Sequence, residues 1–181
     1  MQEFANYHSL RNGIFDLLSS INLATDDTIK LLDYTTELFN KNGLSSDYYG
    51  YHNIDHELEV TYVTLLSATN LLVQKKISLD DVKYLFASAL LHDFDPSKSA
   101  DKPHEKNVIQ FITKDETIQL LLKNVKLDPS IICALISRTV YPWSGDTKII
   151  TEKQMKNYFN TSSVTKNKPE LHDHFKMLGH F

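Results

Sequence analysis

The residues best suited to chemistry form two pairs near the middle of the chain. His52 and His56 are four positions apart, a spacing that brings two side chains to one face of a helix. His92 and Asp93 are adjacent and close an apolar stretch, where an imidazole and a carboxylate are costly to bury unless something satisfies them. Histidine nitrogen and carboxylate oxygen together suit a divalent metal used for hydrolysis or, with iron, for redox chemistry. The combined pattern therefore predicts a metal site, although any one of these histidines alone is more typical of a capping or surface residue.

Two blocks of sequence around these pairs resemble a known family. Residues 51–60 read Tyr-His-Asn-Ile-Asp-His-Glu-Leu-Glu-Val, and residues 89–95 read Ala-Leu-Leu-His-Asp-Phe-Asp. Together they resemble the HD superfamily of metal-dependent phosphohydrolases. The Tyr-His-Asn-x-x-His opening is similar to that of the cyclic nucleotide phosphodiesterases, and the resemblance extends over about residues 49–143.

The resemblance implies a role for each residue of these motifs. His56, His92 and Asp93 would bind a first divalent metal ion, which in such proteins is Mn, Mg, Fe, Zn or Ni. His52 falls where the phosphodiesterases keep the histidine that protonates the leaving oxygen, and Asp95 matches the second acid of their His-Asp-x-Asp run. The histidine that follows this run in the phosphodiesterases is replaced here by proline.

Three further residues are candidates that the resemblance supports less firmly. His104 resembles the later His-Glu histidine that can join a second metal, and an exposed residue at a helix start is the alternative. Arg138 and Thr139 stand where many binuclear enzymes of this family offer another histidine. Arg138 can clamp a phosphate through its two-pronged guanidinium, or it can be an ordinary surface arginine. Lys102 can hold a phosphate, but a solvent-facing loop lysine needs no such role.

The family's last metal ligand is an aspartate from a late helix, and no downstream position here matches its pattern well. Asp146 and Asp173 are two candidates within the chain. The alternative is that the ligand lies beyond Phe181 and the domain is truncated at its C-terminal end, which is the interpretation that the polar setting of Asp173 favours.

The implied activity is hydrolysis of a phosphodiester or phosphomonoester by water activated at the metal, which lowers the pKa of that water to near neutrality. The expected substrate is a small phosphorylated molecule, a nucleotide above all. Tyr141 and Trp143 can stack on its base, and the alternative is that these loop residues pack back on the core. One alternative is an HD-type di-iron oxygenase, against which the missing histidine near Arg138 argues. Another alternative is a degenerate HD domain that binds a nucleotide without turnover.

The composition indicates what kind of fold must position these residues. A chain of 181 residues with 41% hydrophobic and 23% charged residues is expected to form one globular domain. Only 5 glycines and 5 prolines argue against a strand-rich fold, so the composition favours an all-α fold. The resemblance implies that this fold is a compact helical bundle of the HD type. A net charge of −4 does not suit general nucleic-acid binding.

A single cysteine, no signal-peptide core and no membrane-length apolar run predict a cytoplasmic protein without a membrane partner. The sequence predicts nothing about the oligomeric state.

Hydrophobic periodicity and capping residues predict the helices that carry the site. The most apolar one should be central and buried, and should end in the His-Asp pair. The longest one is expected to carry Val60, Val63, Leu66 and Leu71 near one face. A polar turn is predicted over residues 45–51, and Cys133 is expected to be a small buried side chain. Helices are predicted over residues 25–40, 53–73, 78–92, 116–124, 128–140, 151–160 and 169–181, with another beginning near residue 103.

Overall fold

Nine α-helices make up the regular structure of the chain over residues 7–42 and 50–179, which are the residues that the computed structural model describes. No strand occurs within those two ranges, so the predicted all-α class is confirmed. The helices are α1 (Tyr7–Ser20), α2 (Asp26–Lys41), α3 (Ile54–Val73), α4 (Leu79–Leu91), α5 (Glu105–Lys114), α6 (Glu116–Asn124), α7 (Pro129–Ser137), α8 (Gly145–Thr161) and α9 (Pro169–Leu178).

Side-chain caps fix where several of these helices begin. The hydroxyl of Ser78 accepts a hydrogen bond from the Asp81 backbone N–H, and the Asp81 carboxylate accepts one from the Ser78 backbone N–H in return. This reciprocal pair satisfies two backbone donors that the first turn of a helix otherwise leaves without partners. Thr25, Asp115 and Asp128 cap α2, α6 and α7, each with a side-chain oxygen that accepts one backbone N–H hydrogen bond. The capping residues therefore set the predicted helix starts to within a residue or two.

Helix α4 lies at the centre of the core. It packs against α3 and α7, while α1 covers α3 and α8 covers α7. Every residue from Tyr84 to Leu91 is buried, which confirms the predicted central helix.

Cys133 on α7 is fully buried as expected, and its burial raises the pKa of the thiol to about 12. None of the described helices combines the length and the apolar character needed to cross a membrane.

Some boundaries differ from the predictions. Helix α1 is not among the predicted helices, because polar and apolar residues alternate closely in that segment. In the structure, Leu10, Ile14 and Leu18 form a buried stripe at helical spacing. Helix α7 ends at Ser137, and α8 begins at Gly145, six residues earlier than expected. Residues 43–49, which hold most of the predicted polar turn, lie outside the described residues.

The buried face of α3 is not the one that its valines suggest. Val63 and Leu66 are 53% and 42% exposed, so the helix face that carries them is not the one that packs on the core. The buried positions of α3 are Glu57, Leu58, Thr61, Leu65 and Ala68. The helix is therefore rotated relative to the predicted orientation, and this rotation carries a glutamate into the interior.

Candidate metal centre

The start of α3 places the first two histidines. Asn53 caps this helix, and its side-chain oxygen accepts hydrogen bonds from the backbone N–H groups of Asp55 and His56. His52 therefore precedes the helix. The four-residue spacing suggested that it shares a helical face with His56, and it does not. The two rings still meet edge to face, with centroids 5.5 Å apart. The cap, rather than helical periodicity, brings them together.

The end of α4 places His92 and Asp93. His92 occupies the C-cap position, and its Nδ1 lies 2.8 Å from the carbonyl oxygen of Ala89. Because a carbonyl only accepts hydrogen bonds, Nδ1 must carry a proton and donate it. In the neutral ring this leaves a lone pair on Nε2, the nitrogen that lies 3.3 Å from Asp93 Oδ2. A backbone partner of this kind is how metal-binding histidines are commonly oriented.

Three imidazoles converge on one carboxylate oxygen. The Oδ2 atom of Asp93 lies 2.6 Å from His52 Nδ1, 3.5 Å from His56 Nε2 and 3.3 Å from His92 Nε2. The side chains of His56 and His92 are 12% and 11% exposed, whereas that of His52 is 35% exposed. The cluster is therefore mostly closed to solvent and opens on the side of His52.

A second carboxylate, which the sequence analysis did not identify, lies on the other side of His92. Glu57 is fully buried, its Oε2 is 3.2 Å from His92 Nδ1, and its Oε1 accepts a long, 3.5 Å hydrogen bond from the backbone N–H of Asp93. A signal for it was present in the sequence, because Glu57 continues the helical stripe of Thr61, Leu65 and Ala68 toward the N-terminus of α3. The more conspicuous valines of the neighbouring face obscured that stripe.

The charges of the cluster are strongly coupled. Burial raises the pKa of Glu57 above its ordinary value, since little water is left to solvate a carboxylate there. Burial opposes charge on His92 as well, but attraction to Glu57 and hydrogen bonding to Asp93 outweigh it and raise the pKa of His92 well above the usual value. Burial likewise opposes charge on Asp93, yet hydrogen bonds from His56 and His92 hold its pKa far below the usual value. The arrangement thus favours an anionic Asp93 facing imidazoles.

The residues present fit a divalent metal ion. Two sets of possible ligand atoms each lie within 4.8 Å of one another: His52, His56 and Asp93 form one, and Glu57, His92 and Asp93 form the other. His56 Nδ1 is buried without a hydrogen-bond partner among the described residues, which is unusual for a buried polar atom. A mixed nitrogen and oxygen donor set is what Zn, Fe, Mn and Ni accept. The cluster is therefore a possible metal site with Asp93 common to both sets.

Asp95 lies close by in sequence but is engaged elsewhere. It is fully buried, and its Oδ1 accepts hydrogen bonds from the backbone and the hydroxyl of Ser97. Its Oδ2 accepts from the His104 backbone N–H and from the side-chain amide of Asn107. These contacts fasten the loop after α4 to the start of α5. The predicted catalytic role of Asp95 stays a prediction, and the contacts describe a residue that holds a loop.

The remaining predicted residues are not among those that contact Asp93 in the described part of the chain. His104 caps α5 with an exposed side chain whose Nδ1 accepts a hydrogen bond from the Lys106 backbone, so the structure does not bring it to the other ligands. Lys102 is exposed in the preceding loop. The guanidinium of Arg138 stacks on the Trp143 ring at 3.7 Å, in a separate pocket of about 120 Å³.

Neither candidate for a late ligand reaches the centre within the described residues. Asp146 is exposed in the first turn of α8, and the side chain of Asp173 is 82% exposed, 3.7 Å from the Lys176 ammonium. Neither belongs to a set of possible metal ligands in the described part of the chain. Phe181 lies outside the described residues.

Replacing Asp95 by alanine is expected to destabilise the fold by about 2–4 kcal/mol, because four hydrogen bonds to one buried carboxylate are lost together. Denaturant unfolding followed by circular dichroism measures this change. Asp101→Ala is the matched control, since Asp101 is an exposed aspartate of the same loop and should change stability by at most about 0.5 kcal/mol. A free energy of unfolding unchanged in Asp95→Ala would show that these hydrogen bonds do not hold the loop.

Taken together, the fold and the cluster define a class: an all-α protein with a histidine and carboxylate site that can hold a metal. Comparisons of the chain with protein-family models, with curated proteins and with solved structures find no match. The resemblance to the HD superfamily therefore rests on the two sequence blocks alone.

Proposed function

We propose that this protein is a metal-dependent phosphohydrolase of the HD type, acting on a phosphodiester or phosphomonoester. The observation that carries the proposal is the convergence of His52, His56 and His92 on Asp93 Oδ2 at the end of the buried helix. Those are the residues to which the resemblance assigns metal binding and proton donation. A divalent ion held there would supply an activated water and neutralise charge on the phosphoryl oxygens.

In this proposal His56, His92 and Asp93 bind the ion, and Glu57 orients His92. Glu57 lies beside the Nδ1 atom of His92, opposite the Nε2 atom that faces Asp93. A buried carboxylate in this place holds the ring and favours a proton on Nδ1, which leaves Nε2 as the ligand atom. Glu57 thus acts beside the centre through His92, and among the described residues neither Asp146 nor Asp173 belongs to a set of possible ligands.

His52 has the geometry of a proton donor. A carboxylate accepts hydrogen bonds, so the 2.6 Å contact with Asp93 Oδ2 places a proton on His52 Nδ1. The other nitrogen, Nε2, belongs to the most exposed ring of the cluster. When the ring is charged, Nε2–H can donate its proton to a departing ester oxygen, as a general acid does.

The proposal is tested with purified protein and a panel of metals and phosphoesters. Bis-p-nitrophenyl phosphate and p-nitrophenyl phosphate are incubated separately with Mn²⁺, Mg²⁺, Fe²⁺, Zn²⁺ and Ni²⁺. We expect release of p-nitrophenolate in at least one metal, and none after chelation. Absence of turnover with every metal, on these esters and on a panel of nucleotides, would contradict the proposal.

Replacing Glu57 by glutamine keeps the volume of the side chain but removes its negative charge beside His92. We expect metal affinity to fall by about 10- to 100-fold, the usual effect of losing a group that orients a ligand. Competition with a fluorescent chelator measures the affinity. Glu59→Gln is the matched control, because Glu59 is an exposed glutamate of the same helix. Equal metal affinity in Glu57→Gln and Glu59→Gln would remove Glu57 from the centre.

A further inference from the structure

A small cavity adjoins the candidate metal centre. It lies between α3, α4 and α7, and the end of α9 closes one side. Its volume is about 130 Å³. Leu85, Leu135 and Leu178 are among the apolar residues that line it, and His92 lines it as well. The ring that contacts Asp93 therefore also borders the cavity, and the two spaces are neighbours.

The volume of the cavity limits what it can receive. Pockets that hold a whole drug-sized ligand measure roughly 300–1,000 Å³. An apolar cavity of roughly 150 Å³, by contrast, holds a single benzene molecule. The cavity beside His92 is close to the second size, so it accommodates one six-membered ring and excludes a two-ring purine.

The cavity wall carries a polar atom with an unmet hydrogen bond. Ser88 lies one helical turn before His92 on α4, lines the cavity and is 7% exposed. Its hydroxyl has no hydrogen-bond partner among the described residues. Two other buried hydroxyls, those of Thr61 and Ser137, donate to the carbonyl four residues earlier at 2.7 and 2.8 Å, whereas that of Ser88 does not. The Ser88 hydroxyl is thus available to a molecule within the cavity.

We propose that this cavity binds the organic group of the phosphoester substrate, and that this group is a single aromatic ring carrying one hydrogen-bonding atom, which pairs with Ser88 Oγ. The inference rests on the proposed function, because it places the phosphoryl group of the substrate at the metal centre. The apolar wall binds the ring, the volume excludes larger ring systems, and Ser88 selects for the polar atom. The predicted substrate class is thereby narrowed to monocyclic aryl phosphoesters.

The test uses phosphonates, which are not hydrolysed, so that binding is measured without turnover. Calorimetric titration of the full chain with manganese present compares methylphosphonate, phenylphosphonate and 1-naphthylphosphonate. We expect phenylphosphonate to bind at least about tenfold more tightly than methylphosphonate, and naphthylphosphonate to lose that advantage. Equal affinity for phenyl and methyl, or no binding of either, would overturn the inference.

Variants locate the preference in the cavity. Ala89→Leu fills it from α4, and Thr64→Leu fills it from the partly exposed face of α3, in case the first variant folds poorly. Either should reduce the phenyl-to-methyl affinity ratio to about one. A ratio that stays at the wild-type value in a folded filled variant would place the ring elsewhere.

A second pair of variants tests the hydroxyl of Ser88. Among 2-, 3- and 4-hydroxyphenylphosphonate, at least one should bind more tightly than phenylphosphonate, and Ser88→Ala should abolish that gain. Ser137→Ala is the control, since it removes a buried hydroxyl that does not line the cavity. Loss of the gain in both variants, or in neither, would contradict the role of Ser88.

The same preparation separates this inference from the proposed function. Selective phenylphosphonate binding without hydrolysis of any phosphoester would support the cavity and contradict the hydrolase. Hydrolysis of phosphoesters without a phenyl preference would support the hydrolase and overturn the cavity assignment.

Discussion

Replacing Asp93 by alanine is expected to remove bound metal and hydrolysis together. Its Oδ2 atom is the point on which three imidazoles converge, and it belongs to both sets of possible ligands. Losing a group that only orients a ligand weakens metal binding by about 10- to 100-fold, so losing the shared ligand should weaken it by more than about 100-fold. Metal content after dialysis, measured by mass spectrometry, and turnover of bis-p-nitrophenyl phosphate give the two readouts.

The fold of this variant should lose the stabilisation that the metal provides. At a metal concentration 100 times the dissociation constant, that stabilisation is about 2.7 kcal/mol. Added metal should therefore raise the unfolding temperature of wild type but not of Asp93→Ala. His92→Ala should behave likewise, and Asp101→Ala should match wild type. Full metal occupancy in Asp93→Ala and His92→Ala would contradict the assignment of these ligands.

Replacing His52 by alanine is expected to leave the metal bound while turnover falls by about 10²–10⁴-fold for esters with poor leaving groups. The reason is that an acid contributes only where the departing oxygen needs a proton. For a p-nitrophenyl ester, whose leaving group is stable as an anion, the loss should be much smaller. Rates on methyl and p-nitrophenyl esters of the same phosphate, with metal content measured in parallel, separate these cases.

His104→Ala is the matched control for His52→Ala, because it removes an exposed histidine that lies apart from the cluster. It should retain metal and turnover on both esters. Equal losses on the two esters in His52→Ala would contradict the role of proton donor. Loss of metal from His52→Ala would instead show that His52 is a metal ligand. That role is compatible with the set of possible ligand atoms that His52 forms with His56 and Asp93.

Local rules predicted most of the helices that carry the site. Asn53 and Ser78 begin α3 and α4 through their own side-chain hydrogen bonds, which depend on residues two or three positions away. Such contacts can be read from sequence. The burial of α4 was also predictable, because it is apolar on every side.

The features of the site that could not be predicted from the sequence depend on contacts between distant parts of the chain. The rotation of α3 that exposes Val63 and buries Glu57 is set by packing against α1 and α4, a tertiary choice that outweighs the valine pattern. The same rotation produced the unpredicted carboxylate beside His92. Likewise, Asp95 looks like a catalytic acid within its motif, and only the fold shows the donors of Ser97, His104 and Asn107 around it.

The most direct test of the metal centre is anomalous diffraction from crystals grown with Mn²⁺ or Zn²⁺, recorded on both sides of the absorption edge of the metal. The account predicts an anomalous peak within about 2.0–2.3 Å of ligand atoms from His56, His92 and Asp93. Residual density for a second ion would show whether the centre is binuclear. A peak at His104 or another distant histidine, with none beside Asp93 in metal-saturated crystals, would contradict the account.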